Sequence, residues 1–213
     1  MIINKTQKIA KALMDIQAIS LNPANPFTWA SGLKAPIYCD NRLIMSFPEV
    51  RSFIEEELVE LIQFHYPEVE VIAGTATAGI PHAAIIADKM DLPMVYVRSN
   101  NKGHGKKNAI EGRIEEGQKV VMVEDLISTG KSVIEAAEKV TAAGGEVLGA
   151  AAIFSYELQK GHEAFEKQTY DLHTLIGYPE LIEVAAADEE LLPYKETLNA
   201  WYKDPETWSK EVE

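Results

Sequence analysis

The feature that most constrains this chain is a short apolar run that leads into two acids and a loop of small residues. Residues 120–123 read Val-Val-Met-Val, Glu124 and Asp125 follow, and residues 128–132 read Ser-Thr-Gly-Lys-Ser. A run of this kind, rich in β-branched residues, is typical of a strand buried on both faces of a parallel sheet. Ligands of open α/β sheets bind beyond the carboxyl ends of such strands. The stretch therefore predicts an α/β fold with a polar site at the end of this strand.

The loop after the acids suits a phosphate group. Small and hydroxylic residues let backbone N–H groups converge on one anion, which the positive end of the following helix also faces. A nucleotide P-loop is a rival interpretation, because Gly-Lys-Ser stands at 130–132, but it needs a glycine where Asp125 stands. A carboxylate there would repel a triphosphate, whereas it would accept hydrogen bonds from sugar hydroxyls or hold a hydrated metal ion. A ribose 5-phosphate fits both halves, and two solvated turn acids are the simpler alternative.

Residues 120–132 resemble the phosphoribosyl pyrophosphate (PRPP) signature of type I phosphoribosyltransferases. The resemblance implies that Glu124 and Asp125 bind the ribose hydroxyls and act in catalysis, with Asp125 a candidate side chain for Mg²⁺ held mainly by PRPP. It also implies the fold of that family, a central, mostly parallel sheet flanked by helices with a small N-terminal hood. The residues implied to bind the 5-phosphate end of PRPP are Leu126, Ile127, Ser128, Thr129, Gly130, Lys131 and Ser132.

A second segment narrows the resemblance to a substrate. Residues 26–42 are rich in Pro, Gly, Ser and aromatic side chains and predict turns and short strands. In order and spacing, Phe-Thr at 27–28, Ser-Gly at 31–32, Pro-Ile-Tyr at 36–38 and Asp-Asn-Arg at 40–42 resemble the hood of orotate phosphoribosyltransferases. The resemblance implies orotate as the acceptor base, with Lys34, Arg42 and Ser128 as candidates to bind it. Composition alone also allows a plain hairpin with two exposed cations.

A basic, glycine-rich segment lies between two predicted strands. Its positive and imidazole side chains, with no acid among them, are Arg98, Lys102, His104, Lys106 and Lys107. Long loops inside compact domains are usually functional, although a disordered linker is the alternative. The segment resembles the catalytic loop of the same family. This implies that Arg98, Lys102 and His104 serve the pyrophosphate, and that the loop closes over the site of the other subunit in a homodimer.

Some positions depart from the pattern of the family. Ala30, Ala78 and Ser99 stand where many relatives have lysine, and no arginine follows the predicted strand 147–154. These departures fall on accessory charges and indicate a subgroup rather than a different activity. Residues 74–79 resemble the pyrophosphate loop, and their small side chains let the backbone approach a ligand closely.

Apolar periodicity predicts the remaining elements. The predicted helices cover 6–18, 49–64 with its acids facing water, a segment from about Pro81, 131–143, and two stretches of an acid-rich, solvated tail after 179. The other predicted strands cover 69–73, 94–97 and 172–176.

The whole chain of 213 residues predicts one domain, with a hood at 1–45, an α/β core at 46–178 and a helical segment at 179–213. A net charge of −13 argues against nucleic acid as a partner, and no segment predicts a membrane span. One cysteine and the lack of a signal-peptide core at the start indicate a cytoplasmic protein. The implied activity is transfer of the 5-phosphoribosyl group from PRPP to orotate, giving orotidine 5′-monophosphate and pyrophosphate for UMP synthesis. The alternatives are a phosphoribosyltransferase for another base and a regulator that senses PRPP.

Overall fold

The computed structural model describes residues 4–99 and 109–212. Its contacts divide the chain into two compact units, Met1–Val50 together with Ile176–Glu213, and Arg51–Leu175. The division into one domain with a hood, a core and a helical tail stays a prediction. Lys102 and His104, two of the expected site residues, lie outside the described residues.

Helices and strands alternate through the middle of the chain. In the described residues the α-helices are α1 (Lys5–Asp15), α2 (Pro48–His65), α3 (Gly79–Met90), α4 (Lys131–Ala142), α5 (Gln159–Phe165), α6 (Tyr178–Ala185), α7 (Lys195–Lys203) and α8 (Pro205–Glu211). The strands are β1 (Ile19–Leu21), β2 (Phe27–Thr28), β3 (Lys34–Ala35), β4 (Ile37–Cys39), β5 (Val71–Thr75), β6 (Met94–Val97), β7 (Ile110–Glu111), β8 (Lys119–Ile127), β9 (Glu146–Ser155) and β10 (Asp171–Gly177). Short 3₁₀ helices occupy Asn41–Ser46 and Leu192–Tyr194. No helix among these is long and apolar enough to cross a membrane.

The unit Arg51–Leu175 is organised by a six-stranded sheet with the order β10-β9-β8-β5-β6-β7. β5 pairs in parallel with both β6 and β8, β8 pairs in parallel with β9, and β7 is antiparallel to β6. Residues 120–123 of β8 are fully buried, as expected for a central parallel strand. The predicted mostly parallel α/β sheet is therefore confirmed.

The predicted end of one strand and the predicted number of helices in the tail were wrong. β8 continues past the acids to Ile127, because its parallel pairing with β9 extends through Leu126, opposite Phe154, and Ile127, opposite Ser155. In its described residues the tail holds three α-helices, α6, α7 and α8, rather than two. Asp204 caps a new helix by accepting a hydrogen bond from the backbone N–H of Thr207 at 3.0 Å, and proline stands at its first position.

The unit Met1–Val50 with Ile176–Glu213 joins the two ends of the sequence. β1 pairs with β4 and β2 pairs with β3, each pair antiparallel. Trp201 and Tyr178 are fully buried here, with ring centroids 5.0 Å apart. The acid-rich tail is thus more than the solvated face expected, because it also buries Leu198, Trp201 and Trp208.

Candidate active site

The order of strands reverses between β5 and β8. β6 lies on one side of β5, whereas β8, which comes later in the sequence, lies on the other side. In open α/β sheets, ligands bind beyond the carboxyl ends of the strands at such a reversal. Two of the segments singled out in the sequence lie at these ends. Residues 74–79 span the end of β5 and the start of α3, and residues 124–132 span the end of β8 and the start of α4.

The two acids of β8 have different environments. Glu124 is only 5% exposed, and its Oε2 accepts a hydrogen bond from the hydroxyl of Ser132 at 3.2 Å. Its Oε1 accepts one from the backbone N–H of Asp125, also at 3.2 Å. Burial raises the pKa of Glu124, and the neighbouring charge of Asp125 raises it further. Asp125 itself is half-buried. The site therefore combines an interior acid that favours its neutral form with a more accessible carboxyl group.

The loop that follows opens into a cavity at the start of α4. The cavity has a volume of about 350 Å³, and its lining residues are Leu126, Ser128, Thr129, Gly130, Lys131, Ser132 and Glu135. No side chain caps the first turn of α4, so its leading N–H groups are available to an anion. Gly130 has φ of +74°, and a Cβ atom there would lie 2.6 Å from Cε2 of Phe165. Glycine is therefore required at 130, and the cavity suits a phosphate group.

Ile127 is the member of the predicted phosphate-binding set with a different role. Its side chain is buried in the core cluster of this unit, so only its backbone is available near the loop. Thr129, Lys131 and Ser132 are exposed, and Leu126 and Ser128 are half-buried.

The segment after β5 packs tightly against β8. A Cβ atom at Gly79 would collide with the backbone carbonyl oxygen of Val123 and lie 3.3 Å from Cα of Glu124. A Cβ atom at Gly74 would lie 2.9 Å from Cβ of Ala83. The contact of α3 with the sheet thus requires both glycines, which is a different reason from the close ligand approach expected. The buried hydroxyl of Thr75 has no hydrogen-bond partner among the described residues.

Arg98 lies just after β6 and is held by neighbouring backbone. The backbone N–H of Arg98 donates to the carbonyl oxygen of Ala109 at 2.8 Å, and the side-chain Nε lies 3.3 Å from a carboxylate oxygen of Glu111. The ammonium group of Lys139 on α4 donates to the carbonyl oxygens of Arg98 at 2.9 Å and Ser99 at 3.2 Å. This role of Lys139 could not be predicted from the sequence, because a cation in the last turn of a helix is common.

The expected orotate ligands Lys34 and Arg42 lie in the other unit from Glu124 and Asp125. The guanidinium group of Arg42 contacts both carboxylate oxygens of Asp40, at 2.6 and 2.9 Å. The ammonium group of Lys34 meets no acceptor in the part of the chain that the structure describes, while its backbone N–H donates to Ser209 at 2.8 Å. Of the two cations, Lys34 is the one whose charge is more available to a ligand.

Glu55 contradicts the expectation that the acids of α2 face water. It is fully buried, and its Oε1 lies 2.6 Å from Nδ1 of His82, which is fully buried in the first turn of α3. A sequence signal was present, since Glu55 shares the helix face of Leu58 and Ile62 at positions i+3 and i+7.

An α/β sheet whose strand order reverses beside an acidic pair and an anion-binding loop fits the phosphoribosyltransferase class, whose signature residues 120–132 resemble. The sequence matches the phosphoribosyl transferase domain family over residues 49–190. The chain is 59% identical over 206 residues to an orotate phosphoribosyltransferase of Enterococcus faecalis, a match that covers 96% of this chain and 98% of that protein. It is 54% identical over 207 residues to the orotate phosphoribosyltransferase of Bacillus subtilis, covering 96% of each.

Its fold is similar to the crystal structure of orotate phosphoribosyltransferase from Aeropyrum pernix. The TM-score is 0.75 at 26% identity, over 84% of this chain and 99% of that chain. The chain belongs to the orotate phosphoribosyltransferases. The fold class and the family predicted from the sequence are confirmed, and the nucleotide P-loop is excluded.

Proposed function

We propose that the transfer of a 5-phosphoribosyl group from PRPP to orotate takes place beyond the carboxyl ends of β5, β6 and β8. The products are orotidine 5′-monophosphate and pyrophosphate, and the pathway served is pyrimidine synthesis. The observation that carries this placement is the continuity along β8, where an acidic pair passes directly into a helix start with uncapped N–H groups. One ligand with a diol and a phosphomonoester, the ribose 5-phosphate half of PRPP, fits both.

Asp125 and Glu124 hold the ribose hydroxyls, and residues 126–132 hold the 5-phosphate. Breaking the bond between ribose C1 and the pyrophosphate oxygen builds positive charge on the ribose ring. A carboxylate beside that ring stabilises the charge in the transition state more than in the substrate, which is how electrostatic catalysis acts. Glu124, in its neutral form, also has a proton to donate to a hydroxyl.

Negative charge develops on the departing pyrophosphate, and basic groups serve that end. They are Arg98, Lys102 and His104, of which Lys102 and His104 lie outside the described residues. Magnesium suits the hard oxygen donors of this site, with Asp125 as the side-chain candidate and PRPP itself as the main source of ligands. In the described residues no three His, Cys, Asp or Glu side chains gather as a cation site, so substrate oxygens would complete the coordination. The ion supplies charge neutralisation at the pyrophosphate when it is bound.

The proposed ligands of orotate are Ser128, Lys34 and Arg42, and of the two cations Lys34 has the more available charge. The bidentate contact of Arg42 with Asp40 would have to be broken before Arg42 met a second carboxylate, and the cost of breaking it favours Lys34. Orotate N1 then bonds to ribose C1 as the bond from C1 to the pyrophosphate oxygen breaks, and the N1 proton passes to the departing pyrophosphate or to water. The ring of orotate is already acidic, so no strong general base is needed.

A homodimer in which the segment around Lys102 serves the site of the other subunit completes the proposal. Its support is the resemblance of Arg98, Lys102 and His104 to the shared catalytic loop of the family. A cytoplasmic location is proposed from the single cysteine of the chain.

The test is an ultraviolet assay of orotate consumption with PRPP and magnesium, with adenine, hypoxanthine and uracil offered in parallel. We expect turnover with orotate alone. Faster turnover of another base would replace the substrate assignment. PRPP binding without turnover of any base would favour the PRPP-sensing alternative.

A further inference from the structure

The hairpin that carries Lys34 is too short to fix its own position. Each of its strands, β2 and β3, has two residues. Isolated two-stranded hairpins are marginal in water even when they are longer than this. The turn between the strands, residues 30–32, is exposed. Other parts of the same unit must therefore hold the hairpin in place.

The C-terminal helices supply two contacts with the hairpin. The hydroxyl of Ser209 on α8 accepts a hydrogen bond from the backbone N–H of Lys34 at 2.8 Å, across 175 residues of sequence. The ring of Trp29 packs edge-on against Trp201 of α7, with centroids 5.7 Å apart. Trp201 is fully buried, so it provides a fixed surface for this contact. One contact holds each side of the exposed turn.

We propose that Ser209 and Trp201 are positioning residues for orotate binding, because they fix the hairpin from which Lys34 presents its charge. The inference rests on the proposed function of Lys34 as a ligand of the orotate carboxylate. Ser209 binds the backbone of Lys34 and leaves its ammonium group available. A long flexible lysine reaches a defined point only if its Cα atom is held, and the Ser209 contact holds it.

The decisive variant is Ser209→Ala. It leaves the half-buried N–H of Lys34 without its acceptor, and the loss of one such hydrogen bond corresponds to about a two- to tenfold effect on an equilibrium. We expect KM for orotate to rise by about that factor, with KM for PRPP and kcat unchanged. Ser209→Thr keeps the hydroxyl and should restore KM for orotate. A rise that Ser209→Thr does not reverse would overturn the proposal.

Tyr66→Phe is the matched control for a general loss of stability. It removes a hydroxyl that lies 3.1 Å from the carbonyl oxygen of Ala150 and 3.0 Å from that of Asp171, in the other unit. We expect a similar fall in thermal midpoint and an unchanged KM for orotate. If Tyr66→Phe raised KM for orotate as much as Ser209→Ala, the effect would be general loosening and the proposal would fail.

Hydrogen exchange at the amide of Lys34 measures the contact without turnover. Exchange should accelerate in Ser209→Ala and stay slow in Ser209→Thr. Intrinsic fluorescence also reports on the packing of this unit, because it contains all three tryptophans of the chain, Trp29, Trp201 and Trp208. Faster exchange with no change in KM for orotate would refute the positioning role.

Lys34→Met separates this inference from the proposed function. If Lys34→Met raises KM for orotate and Ser209→Ala does not, the positioning role fails and the ligand role of Lys34 stands. If neither variant changes KM for orotate, the ligand role of Lys34 and the positioning role both fail.

Discussion

Glu55 on α2 and His82 on α3 form a pair sealed from solvent, with Oε1 of the acid 2.6 Å from Nδ1 of the imidazole. Burial raises the pKa of Glu55, although the contact with His82 opposes that effect. The contact gives each of the two buried polar side chains a partner, which offsets part of the cost of burying them. The pair therefore couples α2 to α3.

Removing the acid of this pair should be costly. We expect Glu55→Ala to lower the free energy of unfolding by about 3–5 kcal/mol, because His82 loses its buried partner. Urea denaturation measures the change. Glu56→Ala is the matched control, since Glu56 is next in sequence, 64% exposed and paired with Lys89 at 3.3 Å, and should cost at most about 1 kcal/mol. Equal losses in the two variants would contradict a structural role for the buried pair.

The stability of the protein should depend on pH through Glu124. The folded state raises the pKa of Glu124 above the ordinary value of 4.5, so it binds more protons than the unfolded chain once the pH exceeds that value. Stability is therefore lost as the pH rises. Glu124→Gln cannot ionise, so we expect its stability relative to the wild type to increase between pH 5 and pH 8, by urea denaturation. A difference for Glu124→Gln that is constant with pH would count against this account.

Asp125→Asn should separate catalysis from folding. The amide has nearly the shape of the acid but lacks its charge, so we expect kcat to fall by about a hundredfold or more. The circular dichroism spectrum and thermal midpoint should stay near those of the wild type. Asp15→Asn, which affects only an exposed pair with Lys11 at 3.1 Å, should keep normal turnover. Near-normal turnover in Asp125→Asn would remove the ribose-binding role.

Mixing two inactive variants tests the shared site. In the proposed homodimer, Lys102→Ala damages the site of the other subunit, whereas Asp125→Asn damages its own. A heterodimer of the two would then contain one doubly damaged site and one intact site, so activity should reappear after the variants are refolded together. Mass spectrometry verifies the heterodimers. If verified heterodimers stayed inactive, each site would be built within one subunit.

Gly149 of β9 should not tolerate a methyl group. A Cβ atom at this position would collide with the ring of Tyr66, whose hydroxyl lies at hydrogen-bonding distance from two backbone carbonyl oxygens. We expect Gly149→Ala to destabilise the protein by about 1–3 kcal/mol. In a Tyr66→Ala background the same change should cost much less, and a thermal or urea double-mutant cycle measures the difference. Additive effects would show that the two residues do not compete for space.

Local patterns predicted the parts of the site that depend on neighbouring residues. The buried run 120–123 and the acids and small residues after it form one strand, loop and helix start, so their spacing in sequence is also their spacing in the structure. The same holds for β6, which lies where the sequence predicted it.

Contacts between distant residues could not be predicted in this way. Glu55 and His82 are 27 residues apart, and Lys34 and Ser209 are 175 apart. The sequence shows which face of a helix is apolar, but it does not show which element packs on that face. Glu55 lay beside an apolar stripe, and only the position of His82 on a second helix explains why an acid is stable there.

The contact of Gly79 with Val123 and Glu124 limits how this enzyme can be altered. The start of α3 and β8 meet at Gly79 without space for a methyl group. The segment after β5 therefore cannot move closer to Glu124 and Asp125. The distance between the segment after β5 and the acids of β8 is therefore fixed. A variant that accepts a sugar diphosphate of different length would require rebuilt loops.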